Sequence, residues 1–337
     1  MEALWFWLLA AMLTVYVVLD GFDLGAGIVH LLIAKTEDER KAVLASIGPF
    51  WDGNEVWLIA AGGTLFLAFP TLYAASFMGF YLPLTIVLWL LMFRGLSIEL
   101  RNHAPSPMWL PLWDVCFAVS SGLLAVFLGA ALGNVIRGVP LDSQQEFFLP
   151  LWTDFSPGKE PGILDWYTIA VGATAFFALL MHGALWVAAK TGGALSKRAG
   201  ELARRVAMGV AVLTMVITAA TFWLRPELWR RFPEAPWGFV LPAVAVAGLC
   251  MVLAGKWPFA GSSAYLVGMM SSAAFSLFPV VLPSSTDASL NLTIYNSAAG
   301  AYGQSVALWW WIPGILLTAG YFTMLFWRFR GKLDESR

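Results

Sequence analysis

Apolar stretches long enough to cross a bilayer recur along this chain, and that recurrence limits its fold more than any other feature. About 20 apolar residues in a helix span the hydrocarbon. Nine stretches qualify, at 4–34, 47–69, 72–98, 113–136, 163–189, 204–224, 238–255, 263–282 and 305–328. In lipid every backbone polar group must be satisfied internally, so such stretches read as helices. Composition agrees. Only 12% of the 337 residues are charged and 59% are hydrophobic, against roughly 25% charged in a soluble domain. The expectation is an all-α polytopic membrane protein, with residues 1–337 forming one integral membrane domain and no linker or repeat dividing it.

The first stretch starts at Ala3 with neither a basic head nor a small-residue cleavage site, so it reads as a retained helix. "KTEDERKAVLAS", before the second stretch, reads as an interfacial helical turn. Pro70 separates the second and third stretches, and Pro283 closes the eighth ahead of the polar segment "PSSTDASLNLTIYNSAAG".

Orientation follows from the basic residues, which concentrate on the cytoplasmic side. With the N-terminus outside, 15 of the 20 basic residues face the cytoplasm: Lys35, Arg40, Lys41, Arg94, Arg101, Lys190, Lys197, Arg198, Arg204, Arg205, Lys256, Arg328, Arg330, Lys332 and Arg337. Arg137, Lys159, Arg225, Arg230 and Arg231 face outward. The C-terminus is then cytoplasmic. A net charge of −1 presents no basic surface to nucleic acid.

Carboxylates inside these stretches are unexpected on hydropathy alone. Asp20 and Asp23 lie in the inner half of the first stretch, three apart and so on one face. Asp52 and Glu55 open the second, and Glu99 lies near the inner end of the third with Arg94 and Arg101. An intramembrane charge costs about 2.5–3.5 kcal/mol on insertion scales and marks a functional site by default. Asp52 or Glu55 could instead serve a helix N-terminus, and Glu99 and Arg101 could be ordinary interfacial charges. Asp23 has the least ordinary setting, deep in a helix with no basic residue one turn away. Gly21, Gly25 and Gly27 let a neighbouring helix approach it closely. Acids that can gain or lose a proton inside a membrane are relay material.

Redox ligands are sparse. His30, His103 and His182 are not placed as facing pairs for bis-histidine haem binding. His182 reads as a helix-to-helix hydrogen bonder. Cys116 and Cys250 lie in apolar runs without metal-ligand spacing and read as small buried residues. No catalytic residue and no metal site is expected in this chain.

The acidic stretches also carry a resemblance. "LDGFDLGAG", "SIGPFWDGNEVWLIAAGGTLFLAFPTLYAASFMGFY", "MFRGLSIELR" and the later "FPVVLPSST…SLNLTIYNSAAG" resemble subunit II of cytochrome bd-type quinol oxidases. The likeness covers essentially the whole chain, with residues 138–260 matching mainly by span pattern. It implies nine helices as two four-helix bundles plus one peripheral helix. It implies a partner, subunit I, which ligates two haems b and one haem d, oxidises quinol at the outer face and reduces O2 to water with cytoplasmic protons. Location in the cytoplasmic membrane of a bacterium or archaeon follows. In some members subunit II holds a quinone or lipid in an internal cavity; Trp51, Trp57 and Arg94 are expected around it. Asp52, of "WDGN", matches the family position proposed for the mouth of a proton path, and Asp23 matches a further conducting or structural acid. Glu99 stands where the family has an Asp in some members. Small single-helix accessory subunits stay open on the sequence. The competing reading is an independent proton-coupled transporter using the same acids; against it, no inverted halves with matching broken helices are visible. A third is a scaffold with silent acids.

Overall fold

The computed structural model describes residues 1–103, 106 and 108–333. Arg337, counted above among the cytoplasmic charges, lies outside the described residues. The chain is helical almost throughout. In order come α1 (Glu2–Ile33), α2 (Glu37–Ile47), α3 (Trp51–Ala68), α4 (Pro70–Gly79), α5 (Tyr81–Leu100) and α6 (Trp109–Arg137). There follow α7 (Trp166–Lys190), α8 (Gly193–Leu224), α9 (Pro226–Glu234), α10 (Val240–Ala254), α11 (Pro258–Leu277) and α12 (Ala301–Arg328).

Among the described residues, seven helical segments are long and apolar enough to cross a membrane. Of the other two expected crossings, the second falls on α3 and the eighth on α11. Both helices form, but polar side chains dilute their hydropathy: Asp52, Asn54 and Glu55 on α3, and several serines on α11.

Four sequence expectations change in detail. The polar segment before α3 is a full helix of 11 residues, α2, because Thr36 and Glu39 close a reciprocal capping box at its start. The third stretch is interrupted at Phe80, so α4 and α5 are separate helices. The eighth stops at Leu277. Val280–Leu282 is instead a strand, β1, paired antiparallel with β2 (Leu292–Thr293), so the fold carries one short two-stranded hairpin among its helices. Cys250 is exposed on α10 rather than buried, because that helix turns its Gly248 and Leu249 face inward.

Packing divides the helices into two groups. In the first, α1 lies against α3 and α6, and α5 against α6. In the second, α7 lies against α8 and α11, and α10 against α8 and α11. The groups meet where α7 packs on both α1 and α6 and where α11 packs on α1. Two glycines set the closeness of that seam: a Cβ built on Gly25 of α1 would lie 2.0 Å from the Leu179 carbonyl oxygen, and one on Gly183 of α7 would lie 2.1 Å from the Gly25 carbonyl carbon. Helix α12 stands to one side against α3, with most of its surface exposed. At the opposite end from α2, Asp165 caps α7 through the backbone N–H groups of Tyr167 and Thr168, and its second oxygen pairs with Arg137 at the end of α6. Arg137 was expected to be an outward surface charge. It is buried, because this cap needs a cation.

Candidate functional site

A buried ionic cluster sits between α1, α3 and α5. Asp20 is on the C-terminal half of α1, where Gly21 and Gly25 narrow the helix and bring α7 close. Arg94 projects from α5. Its Nη1 and Nη2 donate to the two Asp20 oxygens at 2.9 and 2.5 Å, and neither side chain is exposed to solvent. Such a bidentate fork is the strongest geometry available to an arginine and a carboxylate. Glu55 of α3 approaches the same guanidinium, with Oε1 3.1 Å from Nη2 but out of line for a hydrogen bond. Asp23, one turn beyond Asp20, receives a hydrogen bond from Asn54 Nδ2 at 2.7 Å, and the same amide reaches the Leu19 carbonyl at 3.2 Å.

The cluster therefore gathers three carboxyl groups, one guanidinium and one amide. Adding a proton brings that set nearer to neutrality. Asp23 Oδ1, Asn54 Oδ1 and Arg94 Nε are buried and have no hydrogen-bond partner among the described residues. Buried polar atoms of this kind are the ones that ordered water ordinarily satisfies.

Three of the five expected path acids, Asp20, Asp23 and Glu55, are thus brought together. Asp52 is not in the cluster: it is exposed in the first turn of α3, three residues before Glu55 and on the same side of the helix. Glu99 is also exposed, and its carbonyl pairs with His103 Nδ1 at 2.9 Å. Trp51, Trp57 and Arg94 were expected around one cavity, and each has its own neighbours. The Trp51 ring lies over Gly95 of α5, Trp57 packs on Phe322 of α12 with ring centres 5.8 Å apart, and Arg94 turns inward to Asp20. The absence of a cation near Asp23 in sequence was misleading, because Arg94 is 74 residues from Asp20 and arrives on another helix. Arg94 and Arg101 were counted as cytoplasmic charges; both are buried in ion pairs.

A second network joins α1, α2, α6 and the turn that follows α5 at the same end of the molecule, and sequence reasoning missed its centre. Asp114 of α6 accepts from Arg101 Nε at 2.6 Å and Arg40 Nη1 at 3.1 Å, and it pairs with His30 Nε2 at 2.6 Å. Arg101 also grips both oxygens of Glu37 at 3.0 and 2.9 Å. A lone carboxylate in "WLPLWDVCF" was the available signal. Above it, Glu39 of α2 is held by Arg198 of α8 at 2.5 Å and by the Lys35 N–H at 2.7 Å. These hydrogen bonds, with Arg198 first, draw the Glu39 carboxyl below its ordinary value.

His30 and His182 are buried between helices, and His103 is exposed. His182 bridges helices as expected, pairing through Nδ1 with Ser262 of α11 at 2.7 Å and donating through Nε2 to the Val18 carbonyl of α1 at 2.9 Å. Its ring stacks on Phe259 with centres 4.9 Å apart.

The chain is similar to known proteins along its length. The family described as cytochrome bd terminal oxidase subunit II matches residues 1–329. The cytochrome bd ubiquinol oxidase subunit 2 of Bacillus subtilis (strain 168) is 30% identical, with 90% of this chain and 88% of that protein aligned. The cytochrome bd-I ubiquinol oxidase subunit 2 of Escherichia coli (strain K12) is 28% identical across 99% of this chain and 95% of the relative. In fold, the chain superposes on a chain of the bd oxidase from Geobacillus thermodenitrificans with a TM-score of 0.76, covering 98% of each at 17% identity.

Proposed function

The chain belongs to the family of cytochrome bd terminal oxidase subunit II, and from that premise we propose that it carries protons from the cytoplasm toward the oxygen-reducing partner while holding that partner in shape. It is a multi-pass membrane subunit of a quinol oxidase complex, and that complex contains haem. In the proposed arrangement residues 1–337 form one membrane domain. Helices α3 and α11 cross the membrane alongside the seven apolar segments, with the N-terminus outside and the C-terminus inside. The charge asymmetry supports this: thirteen basic residues, with Arg94 and Arg101 set aside as buried, still fall on the inner side.

The observation that carries the proton reading is the gathering of Asp20, Asp23 and Glu55 about one cation: Asp20 and the partly buried Glu55 both reach the Arg94 guanidinium, and Asp23 lies one turn from Asp20 against Asn54. A buried pair with no surplus carboxyl would be a structural rivet. Here the surplus lets a proton enter without creating an uncompensated buried charge. Asp52 would collect protons at the surface, Glu55 would pass them inward, and Asp23 with its unpartnered Oδ1 would hand them on, with water bridging the longer gaps. Glu99 would be a second surface collector.

In this reading the haems, two of type b and one of type d, are ligated by subunit I. The bonding of the histidines supports it: both ring nitrogens of His182 are engaged, and His30 Nε2 is held by Asp114. The haems supply the electron transfer and oxygen chemistry; this chain's residues take up and hold protons.

The test is turnover in the purified complex. Asp52→Asn, Glu55→Gln and Asp23→Asn should each assemble with parental haem content yet oxidise quinol at least about tenfold more slowly, or about 1.4 kcal/mol on the barrier. Asp52→Glu should retain most activity, since it still carries a proton. Parental turnover in all three amides would leave the acids structural and the chain a scaffold.

A further inference from the structure

We propose that the inner-face groove between α7, α8 and α10–α11 seats the headgroup of an anionic phospholipid from the inner leaflet. The groove has a volume of 820 Å3, within the range of about 300–1,000 Å3 typical of ligand clefts. Its walls are apolar, formed by Leu185 and Ala188 of α7, Val252 of α10 and Phe259 of α11. Its rim is basic. Lys197, Arg204 and Arg205 line it from α8, at positions seven and eight residues apart that share one helix face.

The one carboxylate on that rim, Glu201, lies 3.8 Å from Arg205. Lys197 and Arg204 form no salt bridge among the described residues, so the groove keeps two net positive charges. Lys256 adds a third beside it. Trp257 stands at the mouth, 81% exposed. Exposed tryptophan next to lysine and arginine is the pattern of a headgroup boundary. Apolar walls below and cations above match a molecule with acyl chains below a phosphodiester. A basic pocket between helices on the cytoplasmic side is where acidic lipid headgroups bind. A soluble anion would use the cations and leave the apolar walls idle.

The placement has a consequence for the helices beneath. Phe259, which forms the floor, stacks on His182 and lies 5.1 Å from the Trp186 ring, and His182 bonds to α1 at Val18. A lipid in the groove would therefore bear on the same layer of side chains that joins the two helix groups.

The inference rests on the orientation proposed above, which places the groove at the inner leaflet. The experiment is native mass spectrometry of the purified oxidase complex after exchange into nanodiscs of phosphatidylglycerol or of phosphatidylcholine. The parent should retain phosphatidylglycerol and not phosphatidylcholine. Lys197→Gln/Arg204→Gln/Arg205→Gln, all at exposed positions, should lower that retention at least about tenfold. Gly200→Phe is the second variant: Gly200 lines the groove and nothing lies within 4 Å of the Cβ it would gain, so the ring enters the lipid's space while every charge is kept. It too should lose the lipid. Lys35→Gln/Lys41→Gln, exposed and outside the groove, should not.

Equal retention of both lipids, parental retention in the triple variant or in Gly200→Phe, or loss in the Lys35/Lys41 control would each overturn the site. Displacement of the lipid by millimolar inorganic phosphate alone would overturn it in favour of a soluble anion. Co-purification of the haem-bearing partner, and a reporter fused after Leu333 read for cytoplasmic activity, report separately on the function and orientation.

Discussion

Arg94 and Asp20 form a two-pronged ion pair with no solvent contact, one from α5 and the other from α1, 74 residues apart in the chain. Removing one member strands the other as a buried charge. Arg94→Gln should therefore destabilise the subunit by about 3–5 kcal/mol. The double variant Asp20→Asn/Arg94→Gln should lose less than Arg94→Gln alone. Thermal unfolding of the purified complex in detergent, followed through retained haem absorbance, measures both. A double variant worse than the single would mean that the pair contributes nothing as a pair.

Asn54 should matter for rate more than for folding. Among the described residues its amide is the one side-chain donor to Asp23, and it also ties the Leu19 carbonyl. Asn54→Ala removes a hydrogen bond to a charged or chargeable group, at about 1.5–3 kcal/mol. It should slow quinol oxidation several-fold in complexes that still assemble. Asn54→Gln, which keeps the amide on a longer arm, should recover part of that loss. Steady-state oxygen consumption distinguishes the two.

Gly183→Ala should be poorly tolerated, since its Cβ would overlap the Gly25 backbone. Overpacking of this kind costs about 1–3 kcal/mol or more. Gly62→Ala on α3 meets nothing within 4 Å and should be neutral. Yields of assembled complex from membranes carrying each variant give the comparison.

The Glu39–Arg198 pair predicts an acid-sensitive joint between α2 and α8. Glu39 has a lowered carboxyl pKa in the folded protein, relative to 4.5 when free. The folded state thus binds this proton less readily than the unfolded one. Its contribution is complete above the free value and is lost as pH falls through the folded one. Glu39→Gln should narrow the gap between melting temperatures at pH 6 and at about pH 3.5. Because the pair is partly exposed, the change should be small and should shrink further in high salt.

Single glutamine substitutions at His30, His103 and His182 should leave the haem spectrum qualitatively intact in complexes that assemble. Loss of one haem signal at parental subunit stoichiometry would make the substituted histidine a ligand. Optical difference spectra of the purified complex decide it.

Helix positions were legible in the sequence because hydropathy is a local property: α1, α6, α7 and α12 each lie within a few residues of their apolar stretches. The β1–β2 hairpin was not, because "FPVVLP" reads equally well as the end of a helix and as a strand. The acids were visible as anomalies, yet their partners were hidden. Arg94 was counted on the cytoplasmic side and expected beside a cavity, Asp114 lay unremarked in an apolar stretch, and only the folded packing brings each to its counterpart. Sequence spacing tells which residues share a face of one helix; it does not tell which helix that face meets.

The glycine contact between Gly25 and Gly183 sets main chain directly against main chain across the seam of the two helix groups. Side chains can change rotamer and absorb a shift, but two backbones in contact have nothing to yield. Close-packed interiors transmit displacement instead of damping it. A push on α7 therefore becomes a push on α1, and so on the Asp20 and Asp23 carboxylates it carries, making the subunit a stiff frame in which the acids keep their spacing while the rest of the complex turns over.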